Sequence, residues 1–285
     1  MQEPFDRRAV RRHRDRAAAT LARHDFLLRE AVERLAERLS EGERHFSSAL
    51  VLGAGGGLLR TAIAPFADSI LEADLSLPML GRQGVVASEE LLPFAPAAFD
   101  LVVSALVLHW VNDLPGALVQ IRRSLRPGGL FLGTMLGGET LRELRAALLT
   151  GEAEARGGAS PRVAPFADVR DAGSLLQRVG FERSVADFDT VRVTYADPAQ
   201  LMTELRGMGE TNALAERRRT FTPRATLAAS AEAYREQFAD SDGRVRATFQ
   251  LLTLTGWAAP PRTPPEAPAG ERPPAARVPR RLQQG

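Results

Sequence analysis

The sequence contains no cysteine, which excludes disulfides, thiolate metal sites and cysteine nucleophiles. Lysine is absent too. All 37 basic residues are arginine, a usage that a GC-rich genome produces without any functional demand. Set against 35 acidic residues, they leave a formal net charge of only +2, a balance that does not mark a dedicated nucleic-acid binder. Histidine is limited to four residues and aromatics to 6%. No run approaches the ~18 apolar residues of a membrane helix, and no signal peptide is visible. A soluble, cytoplasmic protein is therefore expected. What the chain has in quantity is apolar: 44% of 285 residues, enough for one large core.

The chain is organised around ALVLGAGGG, residues 49–57. Ala49 to Leu52 is a short apolar run of the kind that forms a strand buried on both faces. Glycines follow at once, and LLRTAIAPFA then reads as a helix. Such a strand, glycine turn and helix start cradle nucleotides in doubly wound α/β folds, because glycine allows a sharp turn and close backbone approach. The spacing G-x-G-x-G is not the dinucleotide G-x-G-x-x-G and fits better a loop that holds S-adenosylmethionine. A plain packing turn is the alternative.

The pattern after this loop is one of alternating strands and helices. SILEA, residues 69–73, is a second strand ending at Asp74, where an acid grips a ribose hydroxyl pair. Glu72 competes for that role, and capping of the LSLPML segment is the plain alternative for Asp74. Gly84–Ala87, Phe99–Val107 and Leu130–Leu136 are the next strands, with a helix over Asp113–Leu125 closed by RPGG. This βαβ pitch demands a parallel sheet, with ligands at the carboxyl ends of its strands. Upstream, residues 1–23 form an Arg-rich arm, read as a solvated helix that packs late or as a partner-binding arm. His24–Ser40 has the spacing of an amphipathic helix that covers the sheet. Downstream, helices are expected over 138–150, Val169–Val179, Pro198–Gly207 and Pro223–Ala239. Phe181–Tyr195 holds one or two strands, and Val245–Trp257 is a long last strand. Residues 24–258 thus form one domain. Residues 259–285 hold 8 of the 19 prolines and read as a disordered tail.

LPFAPAAFDLVVSALVLHWVNDLPGALVQIRRSLRPGGLF resembles the class I S-adenosylmethionine-dependent methyltransferases. FDRR near the start, LHWVNDLP, GGETLRELR, GGASPRVAPF, GMGETN and ATFQLLTLTGW resemble, more narrowly, the mitochondrial complex I assembly factor 5 family and its bacterial relatives. The similarity runs from Phe5 to Trp257. It implies a Rossmann-like, seven-stranded, mostly parallel sheet of order 3-2-1-4-5-7-6, with an antiparallel last strand and helices on both faces. It also implies S-adenosylmethionine as cofactor, held by Gly53, Ala54, Gly55 and Gly57. Asp74 and Leu75 would lie at the ribose, Ser88 and Glu89 beside the adenine, and Ser104 to Leu106 beneath the methionine end. The activity implied is hydroxylation of an arginine in the quinone-side iron–sulfur subunit of NADH dehydrogenase during complex assembly. Methylation of malonyl-carrier protein in biotin synthesis is a more distant similarity. Two positions depart from the pattern: Val51 stands where an acid is usual, and Ser88 where the adenine side often carries Asp. Ordinary methyl transfer to a protein or small carboxylic acid, and a non-catalytic assembly chaperone, are the rival readings. The basic arm leaves open a peripheral contact with the membrane or with a nascent subunit.

Among residues with chemistry to offer, His109 is the only histidine outside the N-terminal region and the best general-base candidate. Packing under the adenine or under the following helix is its plain alternative, and that of Trp110. Asn112 and Asp113 read first as the N-cap of the following helix, with contact to the substrate as a second reading of Trp110 and Asn112. Glu139 and Thr140 open the next helix, with guanidinium binding as a second reading of Glu139. The Gly207–Asn212 loop carries Met208 and Glu210, a flexible lid with one carboxylate able to pair an arginine bidentately. No metal site is expected. No His/His/carboxylate spacing supplies oxygen chemistry, so hydroxylation stands on the resemblance alone.

Overall fold

In the computed structural model the described residues are 3–81, 84–158 and 160–259. The expected tail lies almost wholly outside them. Seven strands form one sheet in the order β3-β2-β1-β4-β5-β7-β6, as the resemblance implies. The strands are β1 (Ala49–Leu52), β2 (Ile70–Asp74), β3 (Gly84–Val86), β4 (Phe99–Ala105), β5 (Leu125–Leu136), β6 (Phe181–Tyr195) and β7 (Val245–Ala258). β1 runs parallel to β2 and β4, and β4 to β5, while β7 runs antiparallel to both β5 and β6. β6 is one strand of 15 residues. β5 begins earlier than its apolar run, since RPGG enters the sheet through an irregular register between Phe99 and Leu101.

Strand side chains alternate between two cores. Leu50, Leu52 and Val102 pack against α4 (Leu114–Ser124) and α6 (Val169–Arg178), through Leu118, Ile121, Leu175 and Leu176. Ala49, Val51 and Val103 pack on the other face against α2 (Phe26–Glu41) and α3 (Leu58–Ile63). Val51 is fully buried there, so the usual acid of that position is replaced by a core contact. A third cluster lies beyond the carboxyl end of β5, where α5 (Arg142–Arg156), α7 (Pro198–Met208) and α8 (Arg224–Phe238) meet β7.

The arm differs from the solvated helix expected. α1 (Arg7–Ala17) is capped by Asp6, whose side chain accepts from the Ala9 N–H, and buries Ala9, Val10, Arg14 and Ala17. Phe5, Ala9 and Val10 form a small core with Trp110, Ala213 and Leu214. The Phe5 and Trp110 rings meet edge to face at 5.3 Å, a geometry worth ~1 kcal/mol beyond area burial.

Candidate functional site

The glycine turn follows β1 directly. Gly53 has φ +91°, and a Cβ there would sit 2.6 Å from the Val107 side chain, so only glycine fits. Gly55, Gly56 and Gly57 also take positive φ. The expected helix after them is a short α3 continued by one 3₁₀ turn. Asp74, at the end of β2 and fully buried, accepts the Ala54 N–H at 2.8 Å and the Ser76 N–H at 2.8 Å. The local turn is therefore held by this carboxylate, at the strand end where the sequence places the ribose contact. Burial pushes this carboxyl above the usual aspartate range, against the pull of the Arg14 guanidinium beside it. Leu75 is half-buried next to it and packs against the core of the arm.

Arg14 is the residue that sequence reasoning missed. Its guanidinium lies 2.5 Å from Asp74 Oδ2 and 3.4 Å from Glu89 Oε1, and all three residues are buried. Arg7, two turns earlier on the same face, pairs with Glu89, donates to Ser88 Oγ at 3.4 Å and donates to the Trp110 carbonyl at 2.9 Å. The available signal was the i, i+7 spacing of these arginines, which places both on one face of a helix. Ser104 is fully buried on β4, and its hydroxyl has no partner among the described residues. Leu106 follows at φ +51°, a left-handed conformation that a branched side chain adopts only under constraint.

His109, Trp110 and Glu210 come together although 100 residues separate the last from the others. His109 Nε2 is 3.0 Å from Glu210 Oε2, and Trp110 Nε1–H donates to the same oxygen at 2.9 Å. The Leu136 N–H faces His109 Nδ1 at 3.5 Å, so Nε2 is the protonated nitrogen and donates to Glu210. The His109 side chain has no exposed surface. Glu210 follows Gly209, which ends α7 in the left-handed conformation.

Two cavities meet at this group. One, of about 50 Å³, lies at the carboxyl ends of the strands among Arg14, Gly55, Leu106, Met208, Trp110 and Glu210. The other, of about 450 Å³ and mostly apolar, lies between α5, α7 and the 162–166 segment and is also lined by Trp110 and Glu210. Asn112 and Glu139 reach neither. The Asn112 amide is spent on the arm, accepting from Phe5 N–H at 2.8 Å and donating to the Phe5 carbonyl at 3.3 Å; Asp113, not Asn112, caps α4. Glu139 is exposed and pairs with Arg142 at 3.0 Å, a neighbour pairing that its place before α5 allows and that takes it away from the pocket.

Comparison with known proteins places these features in context. The family profile described as a methyltransferase domain matches residues 50–133. Mitochondrial arginine-hydroxylase NDUFAF5 of Danio rerio is 40% identical over 264 residues, covering 89% of this chain and 82% of that one. Malonyl-[acyl-carrier protein] O-methyltransferase of Xylella fastidiosa is 34% identical over 269 residues, covering 89% and 88%. Among solved structures, the YcgJ protein from Bacillus subtilis superposes with TM-score 0.55 at 14% identity, over 80% of this chain and 98% of that one. Phosphoethanolamine N-methyltransferase 2 of Haemonchus contortus, in complex with S-adenosyl-L-methionine, gives 0.52 at 15% identity over 88% and 60%.

Proposed function

Because the chain belongs to the NDUFAF5 family within the S-adenosylmethionine-dependent methyltransferase superfamily, and is an enzyme of that superfamily, we propose that it binds S-adenosylmethionine and modifies an arginine of a protein substrate. The substrate proposed is the quinone-side iron–sulfur subunit of NADH dehydrogenase, and the modification hydroxylation, which takes one oxygen atom from dioxygen while an external two-electron reductant reduces the other to water. The observation that carries the arginine reading is the placing of Glu210. A carboxylate fixed by two N–H donors stands in the wall shared by the strand-end cavity and the larger apolar pocket. A side chain entering through the apolar pocket presents its head group to that carboxylate, and a guanidinium matches it in charge and in fork geometry.

The residues around β1, β2 and β4 fit the cofactor in kind. Asp74 would take the ribose hydroxyls, Glu89 and Ser88 would flank the adenine, the glycine turn would lie along the methionine portion, and the unpartnered Ser104 hydroxyl offers a polar atom beneath it. When bound, the cofactor supplies an electrophilic sulfonium methyl group. This chain's own residues do the positioning: Glu210 orients the guanidinium, His109 and Trp110 hold Glu210, and Leu106 and Met208 exclude water. In this arrangement His109 is a positioning residue, since both ring nitrogens are engaged.

A carboxylate substrate is the second reading, favoured by Arg206 at the rim of the apolar pocket. Peptide mass spectrometry of the NADH dehydrogenase subunit, from cells with and without this gene, tests the arginine reading. Loss of one oxygen's mass from an arginine peptide on deletion is the expected result. Loss of a methylene's mass returns the enzyme to methyl transfer. No change on any arginine, with complex assembly failing, leaves the chaperone reading.

A further inference from the structure

The groups assigned to the ribose and adenine are not waiting for a ligand: the chain's own arm holds them. Arg14 forks onto Asp74 and Glu89, Arg7 holds Glu89 and Ser88, and Asp15 accepts from the Ser76 hydroxyl at 2.6 Å. The space left at the strand ends is about 50 Å³, whereas sites for molecules of cofactor size run to roughly 300–1,000 Å³. A nucleoside cannot enter until Arg14 leaves.

The same helix is fastened to the segment that carries Glu210. Gly209 lies against it so closely that a Cβ would be 3.4 Å from Ala17 and 3.6 Å from the Arg14 Cα. Arg16 donates to Thr211 Oγ1 at 3.1 Å, and Arg217 pairs with Asp6 at 2.8 Å. His24, just beyond the helix, meets Glu204 at 2.8 Å and lies against Gly207. Movement of α1 therefore cannot leave residues 204–217 where they are.

We propose that Arg14 is a built-in occupant of the cofactor site, so that cofactor entry expels its guanidinium from Asp74 and Glu89, shifts α1 and releases the loop holding Glu210. The proposal rests on the S-adenosylmethionine reading above. It makes the order of events definite: the loop that receives the substrate loosens only after the cofactor is seated, and a guanidinium already inside the protein competes with the nucleoside for the same carboxylates. Expelling it costs two charge-assisted contacts, which lowers cofactor affinity by the fraction of time the site stands open.

The test uses the full chain and S-adenosylhomocysteine as probe. Hydrogen–deuterium exchange of the wild type should speed up in residues 7–17 and 209–212 at saturating probe. Calorimetry should show Arg14→Met binding the probe about tenfold more tightly than wild type, the scale of one lost contact to a charged group, with Arg14→Lys between them. Slower exchange in α1 on binding, or weaker binding by Arg14→Met, would overturn the proposal while leaving the cofactor reading intact. Failure of wild type and both variants to bind the probe would remove the cofactor reading and this proposal with it. Should Arg14→Met not fold, the wild-type exchange and Arg14→Lys decide.

Discussion

A histidine with a backbone amide at Nδ1 and a carboxylate at Nε2 has its tautomer settled by its neighbours. That is the position of His109, and it turns a residue read from sequence as a proton acceptor into the holder of Glu210. His109→Leu should therefore cost about tenfold or more in kcat/KM, while His109→Gln, which keeps an N–H donor, should retain more of it; steady-state kinetics on the arginine peptide separates the two. Glu210→Gln should raise KM for that peptide by about tenfold, with S-adenosylhomocysteine still bound in calorimetry. Substrate binding undiminished in Glu210→Gln would remove the guanidinium reading. The His109–Glu210 pairing was half-legible. Each residue stood out in its own motif, but nothing in sequence relates positions 109 and 210. Arg14 was lost among its neighbours because its partners are 60 and 75 residues away, and an arginine-rich helix reads as solvated by default.

At the scale of elements, strands were more legible than helix ends. Apolar runs located β1, β2 and β4 to within about two residues, because each carries a compact stretch of buried or half-buried apolar side chains, broken only by Glu72 and Asp74 in β2 and by Asp100 and Ser104 in β4. α5 starts at Arg142 rather than 138 and runs on to Arg156, since Leu141 adopts φ +55° and donates its N–H to Thr248 at 2.7 Å before the helix begins. α5 and α8 touch at Gly151, where a Cβ would overlap the backbone of Ser230. Gly151→Ala should destabilise the protein by about 3 kcal/mol, read as a shift of the denaturant midpoint.

The same helix holds Glu152, buried and bound by Arg162 Nη2 at 2.8 Å and by Ser160. The Arg162 hydrogen bonds, with those from Ser160, bring this carboxyl down from its ordinary 4.5 to about 2. A carboxyl depressed in the folded state adds stability above its unfolded pKa and loses it as pH falls through the folded one. The stability gap between wild type and Glu152→Gln should therefore be full at about pH 7, narrow below about 4.5 and close near about 2, as denaturant melts at each pH would record. A gap that does not change with pH would mean that Glu152 contributes shape and not charge.

For the whole molecule, the sheet order and the antiparallel β7 followed from a resemblance carried by scattered motifs, whereas composition set only the size of the core. The docking of the arm was visible in neither, because it depends on complementarity between surfaces that exist only after folding. A ligand that binds the native state alone stabilises it by mass action. S-adenosylhomocysteine at about a hundred times its Kd should add about 2.7 kcal/mol, raising Tm by roughly 5–10 °C in differential scanning fluorimetry.

Because β7 runs against its neighbours, its end at Trp257 pairs with Leu130, level with the start of β4 and therefore at the end of the sheet opposite the glycine turn. The other end of the chain lies over the site, with Phe5 seated on Trp110 and hydrogen-bonded to Asn112. Fusions to this protein are thus not equivalent. A purification handle attached ahead of Phe5 loads the very segment that covers the pocket, whereas β7 itself ends on the far side, at Ala258. Assays of ligand binding are best made on material carrying its handle at the latter end.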